Sequence, residues 1–392
     1  MKKKTPGERK ENLKCYEIIL NYNCNARCLF CSQGSFDKRL NASFESIAEN
    51  IYRAYAAGYR RIGFTGGEPL LRPDIVKIIS LAKKVGFGFI RIQTNGILLS
   101  SGKFCERLVR AGLTFCKFSF LSDNAEVHDK LLVYKGAWKQ AMRGLENLKI
   151  WKIRLGTNIL VNRYNYNRLP EIIHFFLKNG ISNFVIIYPL YIGNMKKNSD
   201  KLKISLPDVQ KYFRDSINLM ERVGLSNEIL FLNVPPCFIR GRESLSIGLD
   251  RFNTLVTDPE GIKTDLDLSS NENKKRVKAC FECAYFARCG GVDFNYLQVF
   301  GEEGFNPVKE TFKTPGKPIK EVFLSDNERC LLEVLRIQSP ASTKEVLKIA
   351  GGITLCRDCS DGNAVINAGE SLIRKNRVEK FFKKGKYFWR IK

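Results

Sequence analysis

The chain has 392 residues, of which 44% are hydrophobic and 27% charged, so a disordered or low-complexity protein is excluded and two or three globular domains with sizeable cores are expected. Its 65 lysines and arginines against 40 acidic residues give a net charge of +25, which fits either an anionic partner such as RNA, DNA or a nucleotide-linked substrate, or a lysine-rich surface spread along the whole chain. No run reaches the ~18 apolar residues that span a bilayer, and no apolar stretch follows the basic opening MKKKTPGERKENLK, so a cytoplasmic protein with no membrane partner is expected.

After a basic tail of residues 1–13, CYEIIL reads as a strand. SFESIAENIYRAYAAG follows as a helix, with Phe44, Ile47, Ala48, Ile51 and Tyr55 on one face, Ser43 as N-cap and Gly58 as the stop. RRIGFT is the second strand. Pro73 then opens a helix whose apolar residues are Ile75, Val76, Ile78, Ile79 and Ala82, and Gly86 closes it. FGFIRIQT, LTFCKFSF, IRLGTNILV and SNFVIIY continue the strands, with helices between them. Six strand–helix units imply a parallel sheet with right-handed crossovers. Six are too few for an eight-fold closure, so the expected fold class is α/β, a partial (β/α)6 TIM-like barrel over residues 14–225.

After Tyr188 the alternation stops. A helix near Pro207 to Val223 leads into a small irregular domain, residues 226–300, and a Pro-, Gly- and Lys-rich linker, residues 301–321. Residues 322–392 read as three helices and a hairpin turning at Lys384-Gly385, which together describe a winged helix. That turn pairs Phe381 with Phe388 and Glu379 with Arg390 on one face. On the other it pairs Val378 with Ile391, Lys380 with Trp389, and Phe382 with Tyr387.

Thirteen cysteines fall into three groups, Cys24/Cys28/Cys31, Cys280/Cys283/Cys289 and Cys356/Cys359, while Cys15, Cys105, Cys116, Cys237 and Cys330 stand apart as small buried hydrophobes. A structural zinc wants four ligands and a disulfide two. CNARCLFC offers three thiols in one short loop, a set that suits a 4Fe–4S cube with one iron left open. Zinc with a remote fourth ligand is the alternative, weakened by the chain's two histidines, of which His128 reads as part of a loop and His174 as part of a helix. Cys356 and Cys359, in CRDC, read as free thiols in a loop between helices. CNARCLFC follows the first strand, GGEP (Gly66 to Pro69) the second, and Asn95-Gly96 ends the third. All three lie at strand C-terminal ends, the face on which such barrels do chemistry.

On these motifs, residues from about 14 to 190 resemble the radical S-adenosylmethionine (radical SAM) superfamily, through C-x3-C-x2-C with Phe30 before the last cysteine, joined to GGEP. The resemblance implies a 4Fe–4S cluster on Cys24, Cys28 and Cys31, whose open iron is chelated by the amino and carboxylate groups of SAM. It also implies that Gly66, Gly67, Glu68 and Pro69 meet the methionine end, with Phe30, Asn95, Ser119 and Asn158 in the same cofactor site. FSFLSDNAEVHDKLLVYKGAWKQAMRGLENL looks like the family's strand-four signature, with Asp123 and His128 in matching places. The implied reaction is reductive cleavage of SAM to a 5′-deoxyadenosyl radical that abstracts hydrogen from a substrate, with ferredoxin or flavodoxin as electron donor.

CFECAYFARCGG resembles the core of the SPASM auxiliary-cluster domain, but Asp293 and Asn253 stand where that pattern has cysteines. Cys237, followed at familiar spacing by Gly248, is then the expected fourth ligand, with Cys280, Cys283 and Cys289, of a single auxiliary 4Fe–4S cluster. Zinc on the same four is the alternative. SPASM-like relatives mostly modify peptides or proteins, which favours such a substrate, held through the winged helix by strand addition. An RNA, a small metabolite, or a different class altogether, a DNA-binding iron–sulfur redox regulator, are the competing readings.

Overall fold

The computed structural model describes residues 14–249, 252–309, 326–350, 362–374, 377–383 and 385–391. The basic tail of residues 1–13, most of the linker, Cys356, Cys359, Lys375 and Lys384 lie outside the described residues. Two compact units are present, Met1–Thr311 and Phe312–Lys392.

The first unit is built on a curled ten-stranded mixed sheet. Its strands are β1 (Cys15–Ile19), β2 (Arg61–Thr65), β3 (Phe89–Thr94), β4 (Phe115–Phe118), β5 (Arg154–Leu160), β6 (Asn183–Ile187), β7 (Ile229–Leu232), β8 (Ser246–Ile247), β9 (Thr254–Thr257) and β10 (Lys263–Asp265). The order is β10-β9-β1-β2-β3-β4-β5-β6-β7-β8, and among the described residues the end strands β10 and β8 do not pair, which leaves the barrel open. Among the described residues of this sheet, β9 and β10 pair antiparallel and the other neighbours pair parallel.

The six expected strands are all there, in sequence order and parallel. The sheet is nonetheless larger than six. β7 and β8 extend it beyond β6, and β9 returns to the opposite edge, where Thr254 pairs with Cys15. The sequence hid these strands because β8 has two residues and β10 three, too short to show a period of two.

The helices cover the outer face. Ser43 caps Phe44–Ala56 as expected, its hydroxyl accepting from the Ser46 amide at 3.0 Å. Helix Ile75–Val85 buries Ile75, Ile78, Ile79 and Ala82 and ends at Gly86, whose φ of 115° is left-handed. Along β3 the residues alternate: Ile90, Ile92 and Thr94 are buried on one side, and Phe89, Arg91 and Gln93 lie on the other. β4 is buried throughout, with Cys116 and Phe118 in the apolar core. The polar residues on the inner side are what make this barrel chemically interesting.

The second unit has helices Asp326–Ile337, Thr343–Ala350 and Gly362–Arg374 and a sheet ordered Ala341–Ser342, Lys386–Ile391, Val378–Lys383. The hairpin register is the expected one at all five pairs. Trp389 is fully buried against Gly369, a helical position where a Cβ would strike the indole. Cys330 is buried in this core, as expected of a small hydrophobe, and it is also disulfide-bonded.

Candidate active site

The three-cysteine loop follows β1 and is held from several directions. The Arg27 and Leu29 amides donate to the Leu132 and Leu131 carbonyls at 3.0 and 2.9 Å, tying the loop to the end of helix Ala125–Leu132. From the other side, the Asn194 side chain donates to the Cys28 carbonyl at 3.0 Å, its own amide donates to the Cys31 carbonyl at 2.9 Å, and the Asn198 side chain donates to the Leu29 carbonyl at 3.0 Å. The segment between the cysteines therefore has its carbonyls engaged by protein groups, and the thiols are left as its free chemistry. Phe30 is half-buried and packs on the main core.

Burial raises the Cys24 thiol to about 11 and pushes Cys28 up further, and the neighbouring cysteines repel any negative charge that forms. Without a cation such thiols stay protonated; iron binding would pull the protons off. Among the described residues no three His, Cys, Asp or Glu side chains close around a single point, as one ion would require. Three thiols on one loop are the donor set that a 4Fe–4S cube with one open iron takes.

The glycines of GGEP allow the turn after β2 to lie against this loop. Gly66 has φ of 151°, and a Cβ there would press on the Asn21 carbonyl; one on Gly67 would strike the Asn23 carbonyl. In that contact the Gly67 and Glu68 amides donate to the Asn21 and Asn23 carbonyls at 2.8 and 2.7 Å. Glu68 is fully buried. Its carboxylate accepts from the amides of Leu70 and Asn95 at 3.0 and 2.8 Å and from the Thr94 hydroxyl at 2.8 Å. Burial lifts it to about 7 and these donors oppose the shift. Glu68 thereby fixes the end of β3, and Asn95 reaches back from there, its side-chain amide donating to Asn25 Oδ1 at 2.7 Å and lying 3.9 Å from the Cys24 sulfur. Pro69, buried, starts the short turn that Glu68 caps.

Ser119, just past β4, continues the ladder through its amide to the Thr94 carbonyl at 2.9 Å. Asn158, on β5, donates to Gln93 Oε1 at 2.7 Å, and Gln93 donates to Glu17 Oε1 at 2.6 Å. Arg91 pairs with the other oxygen of Glu17. A polar network thus runs from β1 through β3 to β5. His128 does not join the site. It sits in helix Ala125–Leu132 rather than the expected loop, fully buried, with Nδ1 accepting from the Leu121 amide at 3.3 Å, and burial lowers it to about 4. His174 is exposed on helix Leu169–Lys178.

The second cysteine group lies on turns after Val277. The Cys283 amide donates to the Cys280 carbonyl at 3.1 Å, and the Gly291 amide donates to the Cys289 sulfur at 3.4 Å. Cys237 arrives from the turn after β7. Burial raises it to about 12, and the next contributions come from Cys289, Cys280 and Cys283 in that order, which puts all four thiols in one electrostatic neighbourhood. Asp293 does not stand with them as a ligand. It caps the helix Phe294–Phe300, accepting from the Asn295 and Tyr296 amides and from Asn273. A cleft opens beside Cys289 at the C-terminal ends of β6, β7 and β8, bordered by Tyr188, Asn233, Pro236 and Tyr296.

Sequence reasoning missed Asn194 and Asn198, which lie more than 160 positions from the loop they hold. Only the excess of asparagine in GNMKKNSD hinted at a role. It also missed the Glu17–Arg91–Gln93 network, whose members looked like ordinary strand polar residues.

Residues 18–176 match the model of the radical SAM superfamily. Among curated proteins, the PqqA peptide cyclase of Gluconobacter oxydans is 27% identical over 197 residues, covering 50% of this chain and 54% of that protein. The probable GTP 3′,8-cyclase of Sulfurisphaera tokodaii is 27% identical over 298 residues, covering 69% of this chain and 91% of that protein. Among solved structures, Streptococcus suis SuiB bound to the precursor peptide SuiA superposes with a TM-score of 0.57 at 13% identity, over 78% of this chain and 77% of that one. Native anSMEcpe with bound AdoMet and the Kp18Cys peptide gives 0.55 at 14% identity, over 72% and 96%. These two likenesses bear on the fold alone.

Proposed function

The chain belongs to the radical SAM superfamily through residues 18–176, and on that premise we propose that it is a radical SAM enzyme acting on a peptide or protein and carrying a second iron–sulfur cluster. The observation that carries the reading is the three-thiol loop locked against GGEP by two glycines that admit no side chain. When bound, the cluster on Cys24, Cys28 and Cys31 supplies the electron that splits SAM to a hydrogen-abstracting 5′-deoxyadenosyl radical.

The chain's own residues do the positioning. Asn194, Asn198 and the end of helix Ala125–Leu132 fix the loop carbonyls, so the thiols keep their spacing. Glu68 holds the β3 end, and with it Asn95, beside Cys24. Gly66, Gly67, Ser119 and Asn158 line the same end of the sheet and would hold SAM, while the curled wall limits water. Cys237, Cys280, Cys283 and Cys289 would hold the auxiliary cluster next to the cleft.

The peptide reading draws on the PqqA peptide cyclase and on the peptide-bound SuiB and anSMEcpe structures. We read the second unit as a winged helix whose edge strand Val378–Lys383 is open to an added strand. A small nucleotide substrate is the second reading, favoured by the probable GTP 3′,8-cyclase, which aligns over 91% of its length. A DNA-binding redox regulator needs no SAM site and is set aside by the family match. Anaerobically reconstituted protein, reduced with dithionite and given SAM, should form 5′-deoxyadenosine, and replacing Cys24, Cys28 and Cys31 by Ala should abolish it. Cleavage that survives the triple substitution refutes the assignment.

A further inference from the structure

Lys117 is a group on the inner wall that the arrangement above leaves unused. It stands on β4 two residues before Ser119, so both side chains leave the same face of the strand. Lys117 pairs in register with Gln93 on one side and Gly156 on the other, which places it one layer below Ser119 and Asn158. The lysine is 6% exposed.

The charges around it are already matched to one another. Glu17 is taken by Arg91, and Glu228 by Arg154. Both arginines face Lys117 closely enough to disfavour its charge, and burial disfavours it more. Among the described residues, no hydrogen bond or ion pair reaches its ammonium, which lies 5.8 Å from the centroid of the Phe115 ring. Yet Nζ is not among the polar atoms sealed without a partner, so it borders space that water can enter.

A buried, unpaired ammonium is costly, and an apolar side chain of the same length would avoid that cost. When Lys117 holds its proton the wall carries three cations against two carboxylates, one positive charge in excess, which burial and the two arginines oppose until an anion arrives. We propose that Lys117 anchors a carboxylate of the substrate, drawn down the barrel below Ser119 and Asn158. A monoanion closes the charge balance. A phosphate dianion would overshoot it and meet Glu17 and Glu228. The proposal rests on the preceding reading only in taking this inner wall as the substrate chamber.

The test uses the reconstituted full-length protein and thermal unfolding, with sodium glutarate as probe against sodium chloride at equal ionic strength. Glutarate should raise the wild-type midpoint saturably, by roughly 2–4 °C at about ten times its dissociation constant. Lys117→Met should unfold at a higher temperature than wild type in chloride and gain nothing from glutarate, and Lys117→Arg should keep the response. An equal glutarate response in wild type and Lys117→Met overturns the proposal, as does a wild type that responds to phosphate and not to glutarate. Should Lys117→Met fail to fold, Lys117→Gln carries the same comparison. No turnover is read, so a protein that fails to cleave SAM but shows the Lys117-dependent shift refutes the proposed function and leaves the carboxylate site standing.

Discussion

The Asn194 side chain donates to the Cys28 carbonyl across 166 positions of sequence, while the Asn194 amide holds the Cys31 carbonyl. Two of the three cysteines are thus fixed by one residue. Gly193 and Gly34 make the approach possible: a Cβ on Gly193 would press on the Ser32 and Cys31 carbonyls, and one on Gly34 would overlap the Asn194 side chain. Asn194→Ala removes the side-chain bond and leaves the Cys28 carbonyl only the longer bond from the Cys31 amide, at 3.3 Å, at a cost of about 1 kcal/mol. The loop should then lose its iron to a chelator several-fold faster than wild type, followed by the decay of the cluster absorbance. An unchanged decay rate would mean that the loop needs no such brace.

Gly67 offers a sharper test of how the two motifs meet. A methyl group at this position strikes backbone, which cannot rotate away, so Gly67→Ala should cost about 3 kcal/mol and abolish 5′-deoxyadenosine formation. Gly88→Ala is the matched control. Nothing lies within 4 Å of its added methyl, and the change should be neutral or mildly stabilising. Urea unfolding of the two variants side by side decides the matter, and equal midpoints would sink the close-approach argument.

The sequence was most legible where one local rule decides. Ser43 and Gly86 bound their helices as the capping signals require, and the hairpin register followed from a single turn position. The cysteine spacing and GGEP singled out two short loops that the structure brings against each other. What stayed hidden depends on distant pairing. β9 joins β1 across some 240 residues, and neither strand's composition announces the other. Nothing in LTFCKFSF sets Lys117 apart, because the charges that face it come from residues on β1, β3 and β5. His128 was misplaced for a related reason: AEVHDKLL is too short to show a helical period clearly, and the histidine belongs to its buried face.

That histidine gives the fold a pH dependence with a definite sign. Its folded pKa, about 4, lies below the usual value of 6.5, so between these values the unfolded chain binds a proton that the native state refuses. Stability should therefore fall as pH drops from 6.5 to 4, by up to about 3 kcal/mol from this residue. Glu68, raised to about 7, acts in the opposite sense, and its contribution is lost as pH rises through 7. Comparing wild type with His128→Asn cancels Glu68, because the asparagine oxygen can still accept from the Leu121 amide. The difference in unfolding free energy between pH 7 and pH 4 should carry the histidine slope; parallel pH profiles would show that His128 titrates in the folded protein.

Iron counting separates the two cysteine groups. The reconstituted chain should hold about eight irons, and about four should remain after Cys280, Cys283 and Cys289 are replaced together. Cys237→Ala alone should leave the second cluster incomplete and labile, since its thiol lies among the other three. Mössbauer spectra would show the loss as a change of cluster type. A wild-type count near four with one zinc would instead make this a structural zinc site.

The last prediction concerns the second unit, which has its own core and begins at Phe312. Both cysteine groups, GGEP and Lys117 lie upstream, so a chain ending at Thr311 should still cleave SAM in the absence of substrate. Capture of a macromolecular substrate should fall, because a tethered binding unit raises effective concentration. The hairpin shows which chemistry to test. Phe382 and Tyr387 are 62% and 55% exposed and stack edge-on across the strands, and Lys380 lies 4.5 Å from the Tyr387 ring centroid. An exposed aromatic pair beside lysines suits base stacking and phosphate, whereas the open edge of Val378–Lys383 suits an added peptide strand. Salt distinguishes them: phosphate contacts weaken steeply with ionic strength and main-chain hydrogen bonds do not. Replacing Phe382 and Tyr387 by Ser should leave the fold intact, since neither side chain is in the core. If the binding partner is a peptide, capture should survive both the double substitution and a rise from 50 to about 200 mM salt. Binding lost on both counts would identify RNA as the partner and overturn the peptide reading of the unit.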